Sequence, residues 1–268
     1  MKPKRARRGL VRLATQDLGT ESELPLFLGR LDAAALRREL DEALILEGLR
    51  RRGYVSVDLE LRRAENEHRF LVRAAGPGDA ELPPLVEVRC AEEVLLARDL
   101  EPRPAAFEML SVLAIRWLAM QDPRARFDPE RPPLPGQRFP GLGLVRPLIL
   151  RIHAWAKAWG KDALVNFPEF FHNAVLYSSV YRFVSPARQG IFEALVRDLA
   201  RLPLAASSAA VEEGRVAREG SDERLAWEPG EMIAPITEAA HQWLAEPAYA
   251  EAVRQAREGV RFRVREAG

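Results

Sequence analysis

The chain has 268 residues, 47% of them hydrophobic and 29% charged, and its 40 basic and 39 acidic side chains leave a net charge of +1. That balance belongs to globular proteins and gives the chain as a whole no electrostatic reason to seek nucleic acid or anionic lipid. The most apolar stretch, Ala105 to Met120, carries Glu108 and Arg116, which argues against a membrane span, and the single cysteine, Cys90, excludes a disulfide framework or a cysteine-rich zinc site. With no apolar segment of signal-peptide length behind its basic start, the sequence reads as that of a cytoplasmic protein.

Lys2, Lys4, Arg5, Arg7 and Arg8 make residues 1–20 a basic arm, expected to be flexible and solvated, with RNA or phosphate contact as the alternative. From Leu31 to Arg52 the leucines at 36, 40, 44 and 49 recur at helical spacing, and Gly53 is placed to stop one amphipathic helix. The period then falls to two. Val55, Val57, Leu59 and Leu61 alternate with polar neighbours, and polar or glycine-rich breaks separate this strand from His68 to Ala74 and from Leu85 to Cys90, predicting an antiparallel meander. Residues 91–100 fit a strand or a helix equally. Ala105 to Met120, apolar nearly all round, reads as a covered helix.

Six prolines between Asp122 and Pro140 rule out a regular element there and predict a long loop of the kind that often carries function. Leu144 to Trp159 follows as a helix, with Pro147 in its first turn and Gly160 at its end. A strand at Ala163 to Val165, a helix from Glu169 to Tyr181 and a strand at Arg182 to Val184 come next. Helices are expected from Ile191 to about Leu202 and after Thr237 and Pro247, with a strand at Leu225 to Trp227. The fold class is therefore mixed α+β and α/β: an antiparallel meander, then helix, strand, helix, strand, with extra helices at the C-terminus. The organisation expected is the arm over 1–20, a core over 21–190 holding the loop 122–140, and a mostly helical extension over 191–268 packed on that core.

Chemistry concentrates where Arg138-Phe139-Pro140-Gly141-Leu142-Gly143 opens the helix at Leu144. Glycines let the backbone turn tightly, and the N-terminus of a helix favours an anionic group by roughly 0.3–1 kcal/mol, to which a charge-assisted bond from Arg138 adds roughly 1.5–3 kcal/mol. His172, beside Phe170 and Phe171, is a candidate general base or a packed histidine. The four histidines, 68, 153, 172 and 241, are too scattered for a metal motif, so no metal is expected. No phosphate-binding G-x-x-x-x-G-K-[ST] loop and no G-x-S-x-G elbow occurs, and Arg146 stands where a dinucleotide fingerprint needs its third glycine.

The arrangement R-x-x-G-x-G, helix, short strand, then a helix carrying Asn173-Ala174-Val175-Leu176-Tyr177 before Phe183, resembles the GNAT superfamily of acyl-CoA N-acyltransferases over residues 138–183. The resemblance implies a GNAT-like core that takes acetyl-CoA or another acyl-CoA as co-substrate. Arg138 and the backbone around Gly141, Gly143 and Leu144 would hold the pyrophosphate, Asn173 would lie along the pantetheine arm, and Tyr177 would protonate the departing thiolate. In that family a strand runs directly into the pyrophosphate loop, whereas here a helix is expected in its place. The meander supplies Glu87, Glu60 and Asp58 as base candidates, Glu87 being nearest the motif in sequence. The acceptor implied is a small-molecule or peptide amine, with nucleic acid and membrane not expected and a homodimer left open. The alternative is a non-catalytic protein with a degenerate GNAT-like fold that binds a partner.

Overall fold

The computed structural model describes residues 26–64, 66–221 and 223–265 together with the short strand β1 (Leu10–Arg12). Lys2 to Arg8 of the basic arm lie outside the described residues. Where the spacing predicts one helix across Leu31 to Arg52, two form: α1 (Ala33–Glu42) and α2 (Ile45–Arg50). Asp32 caps the first, its carboxylate accepting from the Ala35 N–H at 2.6 Å, and Leu36 and Leu40 are buried. The break falls at Leu44, which takes a left-handed φ of 60° and is 65% exposed, so this leucine turns away from the core that its spacing suggests.

The predicted meander is present as β2 (Val57–Ala64), β3 (Glu67–Ala74) and β4 (Val86–Leu96), each antiparallel to the next. The undecided residues 91–96 continue β4. Ala105 to Met120 does not form the expected helix: β5 (Met109–Met120) pairs antiparallel with β4 from Met109↔Leu96 to Met120↔Val86. It is apolar on all sides because it is central. Leu110 and Val112 enter one core cluster and Leu113 and Ile115 the other, and such a run fits a two-sided buried strand as well as a buried helix. Pairing with β4 satisfies the backbone that an isolated sequence window cannot account for. One bulge interrupts the ladder, since Arg89 faces Trp117 but Cys90 faces Ile115, leaving Arg116 as the extra residue.

After the loop come α3 (Val145–Ala158), β6 (Ala163–Asn166), α4 (Phe171–Tyr177), β7 (Arg182–Phe183) and α5 (Pro186–Asp198). The chain continues through α6 (Leu204–Glu212), β8 (Val216–Arg218), β9 (Met232–Pro235), α7 (Glu238–Leu244), α8 (Pro247–Glu258) and β10 (Phe262–Val264). The main sheet has the order β2-β3-β4-β5-β6-β9-β7, with β1 alongside the far half of β4. β6 is parallel to β5, while β9 is antiparallel to both β6 and β7.

β9 changes the reading of the C-terminal segment. Residues after 190 are not only helices laid on a finished core, because Met232 to Pro235 fill the place between β6 and β7. β8 and β10 add a separate two-stranded sheet. Leu225 to Trp227, expected as a strand, is irregular, and the Trp227 ring packs edge-on against Phe171 and Phe183 at 5.7 and 6.3 Å. α8 lies tight on α5 because Gly190 has no side chain; a Cβ there would strike the Val253 carbonyl. No helix among the described residues is long and apolar enough to cross a membrane.

Candidate functional site

β5 and β6 pair only from Val112↔Ala163 to Ile115↔Asn166. Beyond that point β6 ends, Phe167-Pro168 leads away, and β5 runs on to Met120 with no ladder partner among the described residues on that edge. The two parallel strands therefore part here, a break in the ladder referred to below as the notch. Its far end is closed by the returning loop, where Gly141 bridges Gln121 and the Leu142 N–H donates to the Met120 carbonyl at 3.4 Å. The loop is anchored at its start: Tyr54 donates to Asp122 at 2.6 Å, and Arg124 binds both oxygens of Asp79 at 2.5 and 2.7 Å with its guanidinium over the Tyr54 ring.

The loop delivers the chain to α3 through Gly143, whose φ of +67° only glycine adopts without strain. Pro147 occupies the first turn, where its missing N–H costs nothing. The N–H groups of Gly143, Leu144, Val145 and Arg146 have no acceptor among the described residues, and no side chain caps the helix. Gly143 is exposed, so these donors reach solvent. Arg52 leans over the turn, its Nη2 lying 3.6 Å from where a Cβ on Gly143 would sit. Arg138 is exposed and stacks on Phe139 at 5.3 Å. Between α2 and this entrance lies a cavity of about 280 Å³ with apolar walls from Ala43, Leu44, Leu144 and Pro147. Leu144 reaches it because Gly48 has no side chain; a Cβ on Gly48 would fall 2.7 Å from the Leu144 methyls.

The second group of candidates stands on α4. Gly136 of the loop rests against the Phe170 ring, with 2.5 Å between that ring and a Cβ placed on the glycine, which ties the Arg138 segment to the start of α4. Asn173 is half-buried one turn on. Tyr177 is half-buried with its ring 5.7 Å from that of Tyr181, and burial pushes its phenol above the ordinary range, so it stays protonated at neutral pH. The Tyr181 hydroxyl is sealed in without a partner, but that of Tyr177 is not sealed from solvent.

His172 does not face the notch as a free base. It is 4% exposed, hydrogen-bonded through Nδ1 to Ser208 Oγ at 2.9 Å, stacked on Phe170, and pushed down to about 4 by burial. It is neutral and weakly basic. Because the unfolded chain binds this proton near 6.5 and the folded chain only near 4, stability rises with pH across that window and is lost as pH falls through it, by up to about 3 kcal/mol at its acid end. Urea denaturation from pH 7 to 4 should show that loss, and His172→Gln should flatten it without abolishing it, since His68 and His153 shift in the same direction. A curve unchanged by the variant would disprove the buried neutral state.

Glu87 is likewise engaged. It points to the sheet face opposite Val86, Val88 and Cys90 of the main core, and pairs with Arg69 at 3.0 Å and Arg89 at 2.7 Å. Glu60 is held in the same way by Arg62 and Arg73, which keep its carboxyl below the usual range. Asp58 is exposed on that face, opposite Arg73. The meander therefore presents its Glu87 and Glu60 carboxylates to arginines, not to the notch. Among the described residues no group of three or more His, Cys, Asp or Glu is placed to hold a metal ion.

Sequence reasoning passed over Arg52 and gave Asn166 no role of its own beyond membership of a segment whose side chains could line a pocket. Asn166 sits at the base of the notch, 4% exposed, with neither its amide oxygen nor its nitrogen hydrogen-bonded. Buried polar atoms are nearly always partnered, so this asparagine is a local cost to stability. Asn166→Leu should raise stability by about 1–3 kcal/mol, read as a higher urea midpoint; a lower midpoint would show that the amide has a partner after all. The only local signal was an asparagine ending an apolar strand.

Fold and site together define a mixed α/β protein whose notched sheet adjoins an amide-lined, glycine-opened helix entrance. Comparison with protein-family models, with curated proteins and with solved structures finds no match to this chain.

Proposed function

We propose that the chain is a divergent relative of the GNAT acyltransferases and moves an acyl group from a CoA thioester to an amine. The observation that carries this reading is the parting of β5 from β6 directly beside the open N–H groups of α3. Such an entrance suits a diphosphate, and the notch beyond it suits an extended arm that bonds to the free edge of a strand. The strand identity of β5 adds support, because it replaces the helix that the family's order lacks, with residues 121–140 still separating this strand from the glycine turn.

In this reading Arg138 and the amides from Gly143 to Arg146 bind the pyrophosphate, and the arm passes Asn166 and Asn173. An amine attacks the thioester carbonyl, the tetrahedral intermediate collapses, and its C–S bond breaks. Tyr177 gives its proton to the thiolate and regains one, through water, from the nitrogen that attacked. With Glu87 held by two guanidinium groups, an acceptor that arrives as an ammonium ion first gives that extra proton to solvent and attacks as the neutral amine.

Acetyl-CoA should stabilise the folded chain by about 2.7 kcal/mol at a hundredfold excess over Kd. Gly141→Asp should abolish the rise in Tm while leaving the fold intact, since a Cβ there meets only the Met120 carbonyl oxygen at an ordinary 3.7 Å. No shift of the unaltered chain at millimolar acetyl-CoA refutes the proposal. The engaged state of Glu87 and the low basicity of His172 favour one other reading, a GNAT-like binding protein without turnover. Binding of acetyl-CoA with no CoA released in the presence of amines selects that reading.

A further inference from the structure

The cavity between α2 and the entrance of α3 has a charge pattern that its apolar walls do not explain. Arg50 and Arg51 share the Glu47 carboxylate, which lines the same cavity, and Arg50 also reaches Asp41. Arg52 has no carboxylate partner among the described residues. Its Nη1 donates to the Gly48 carbonyl at 2.8 Å, which fixes the guanidinium over Gly143 and the unsatisfied amides of α3. The lining thus combines apolar side chains with three charged ones, Glu47, Arg51 and Arg52, of which only Arg52 lacks an opposite charge among the described residues. At about 280 Å³ it lies just below the usual range for small-molecule sites, large enough for one ring system and too small for a whole coenzyme.

We propose that this cavity takes the adenosine 3′-phosphate end of CoA, with the purine between Leu44, Leu144 and Pro147 and the 3′-phosphate on Arg52. The proposal rests on the acyl-CoA reading above. A planar apolar base joined to a compact dianion is the one unit of that co-substrate, besides the pyrophosphate, that matches an apolar wall ending at an unpaired guanidinium. Gly48 is the structural precondition, since any side chain there would displace Leu144 from the wall.

Calorimetric titration of the full chain with acetyl-CoA, acetyl-3′-dephospho-CoA and adenosine 3′,5′-bisphosphate tests it. The dephospho form should bind about ten- to a hundredfold more weakly than acetyl-CoA, the loss of one charge-assisted contact, and the bisphosphate should compete with acetyl-CoA. Arg52→Ala, at an exposed position, should weaken acetyl-CoA by the same factor and leave the dephospho form unchanged. Ala43→Phe, which fills the cavity, should weaken both. Equal affinity for the two coenzyme forms, or an equal loss of both in Arg52→Ala, overturns the cavity assignment while leaving the acyl-CoA reading in place; binding of neither form overturns both.

Discussion

Tyr177→Phe should lower the turnover of acetyl-CoA with an acceptor amine by about 10²- to 10⁴-fold, the usual contribution of a positioned general acid, and change the acetyl-CoA Kd little. The substitution removes one oxygen and nothing else of consequence. The Tyr177 hydroxyl has no hydrogen-bond partner among the described residues, so its loss leaves no orphaned group in the fold, and the ring keeps its packing against Tyr181. The upward push on its phenol means that the proton is present throughout the neutral range. On the proposed function, loss of activity should therefore be constant with pH up to the alkaline limb, where the unaltered chain loses the proton and the two converge. Equal kcat in the two proteins would remove Tyr177 from the mechanism. A parallel loss of Kd would make it a binding residue.

Glu93→Ala should destabilise the fold by about 3–5 kcal/mol, the cost of leaving one half of a buried ion pair uncompensated. Glu93 is fully buried, and the Arg116 side chain is 4% exposed. The two pair on the face of the sheet opposite Cys90, with the guanidinium 4.7 Å from the centre of the Phe167 ring. Among the described residues Nε and Nη1 of Arg116 and Oε2 of Glu93 have no further partner, so the pair is under-satisfied there as well as buried. Removing the carboxylate strands a guanidinium in an apolar site. Removing both charges together, as in Glu93→Leu with Arg116→Met, should restore most of the loss or exceed the starting stability. Urea midpoints of the two single variants and the double variant decide the matter. A single variant costing less than about 1 kcal/mol would mean that water reaches the pair. The bulge at Arg116 explains why the arginine is there: the extra residue swings one side chain out of register at the point where β5 parts from β6.

The notch and the stability of the sheet are thus linked through neighbouring residues. Ile115 ends the parallel pairing, Arg116 carries the buried charge, and Asn166 across from Ile115 leaves an amide unsatisfied. Arg116 and Asn166 each cost stability where an ordinary strand would place an apolar side chain. Local cost at a site is the common signature of residues kept for binding, and Asn166→Leu is the direct measure of it here.

Local chemistry was enough to read much of the chain. The alternation in Val57 to Leu61, the six prolines of the 122–140 segment, and the glycines and proline framing Val145 to Ala158 all act within a few residues of one another, and their elements stand where the periodicity places them. The helix entrance was legible for the same reason, because a left-handed glycine and a helix start are properties of consecutive residues. What depends on distant partners was not. Met109 to Met120 became a strand because β4 offered a backbone partner along its length and β6 one over Val112 to Ile115, and Met232 to Pro235 joined the sheet because β6 and β7 left a gap between them. Glu87 was an open carboxylate until two arginines on the same face closed on it, and His172 an available imidazole until α6 covered it. Sequence alone determined where the backbone turns and where helices begin; only the packing of remote segments decided which apolar runs are strands and which polar groups are left free to act, because pairing and desolvation are long-range properties of the folded chain.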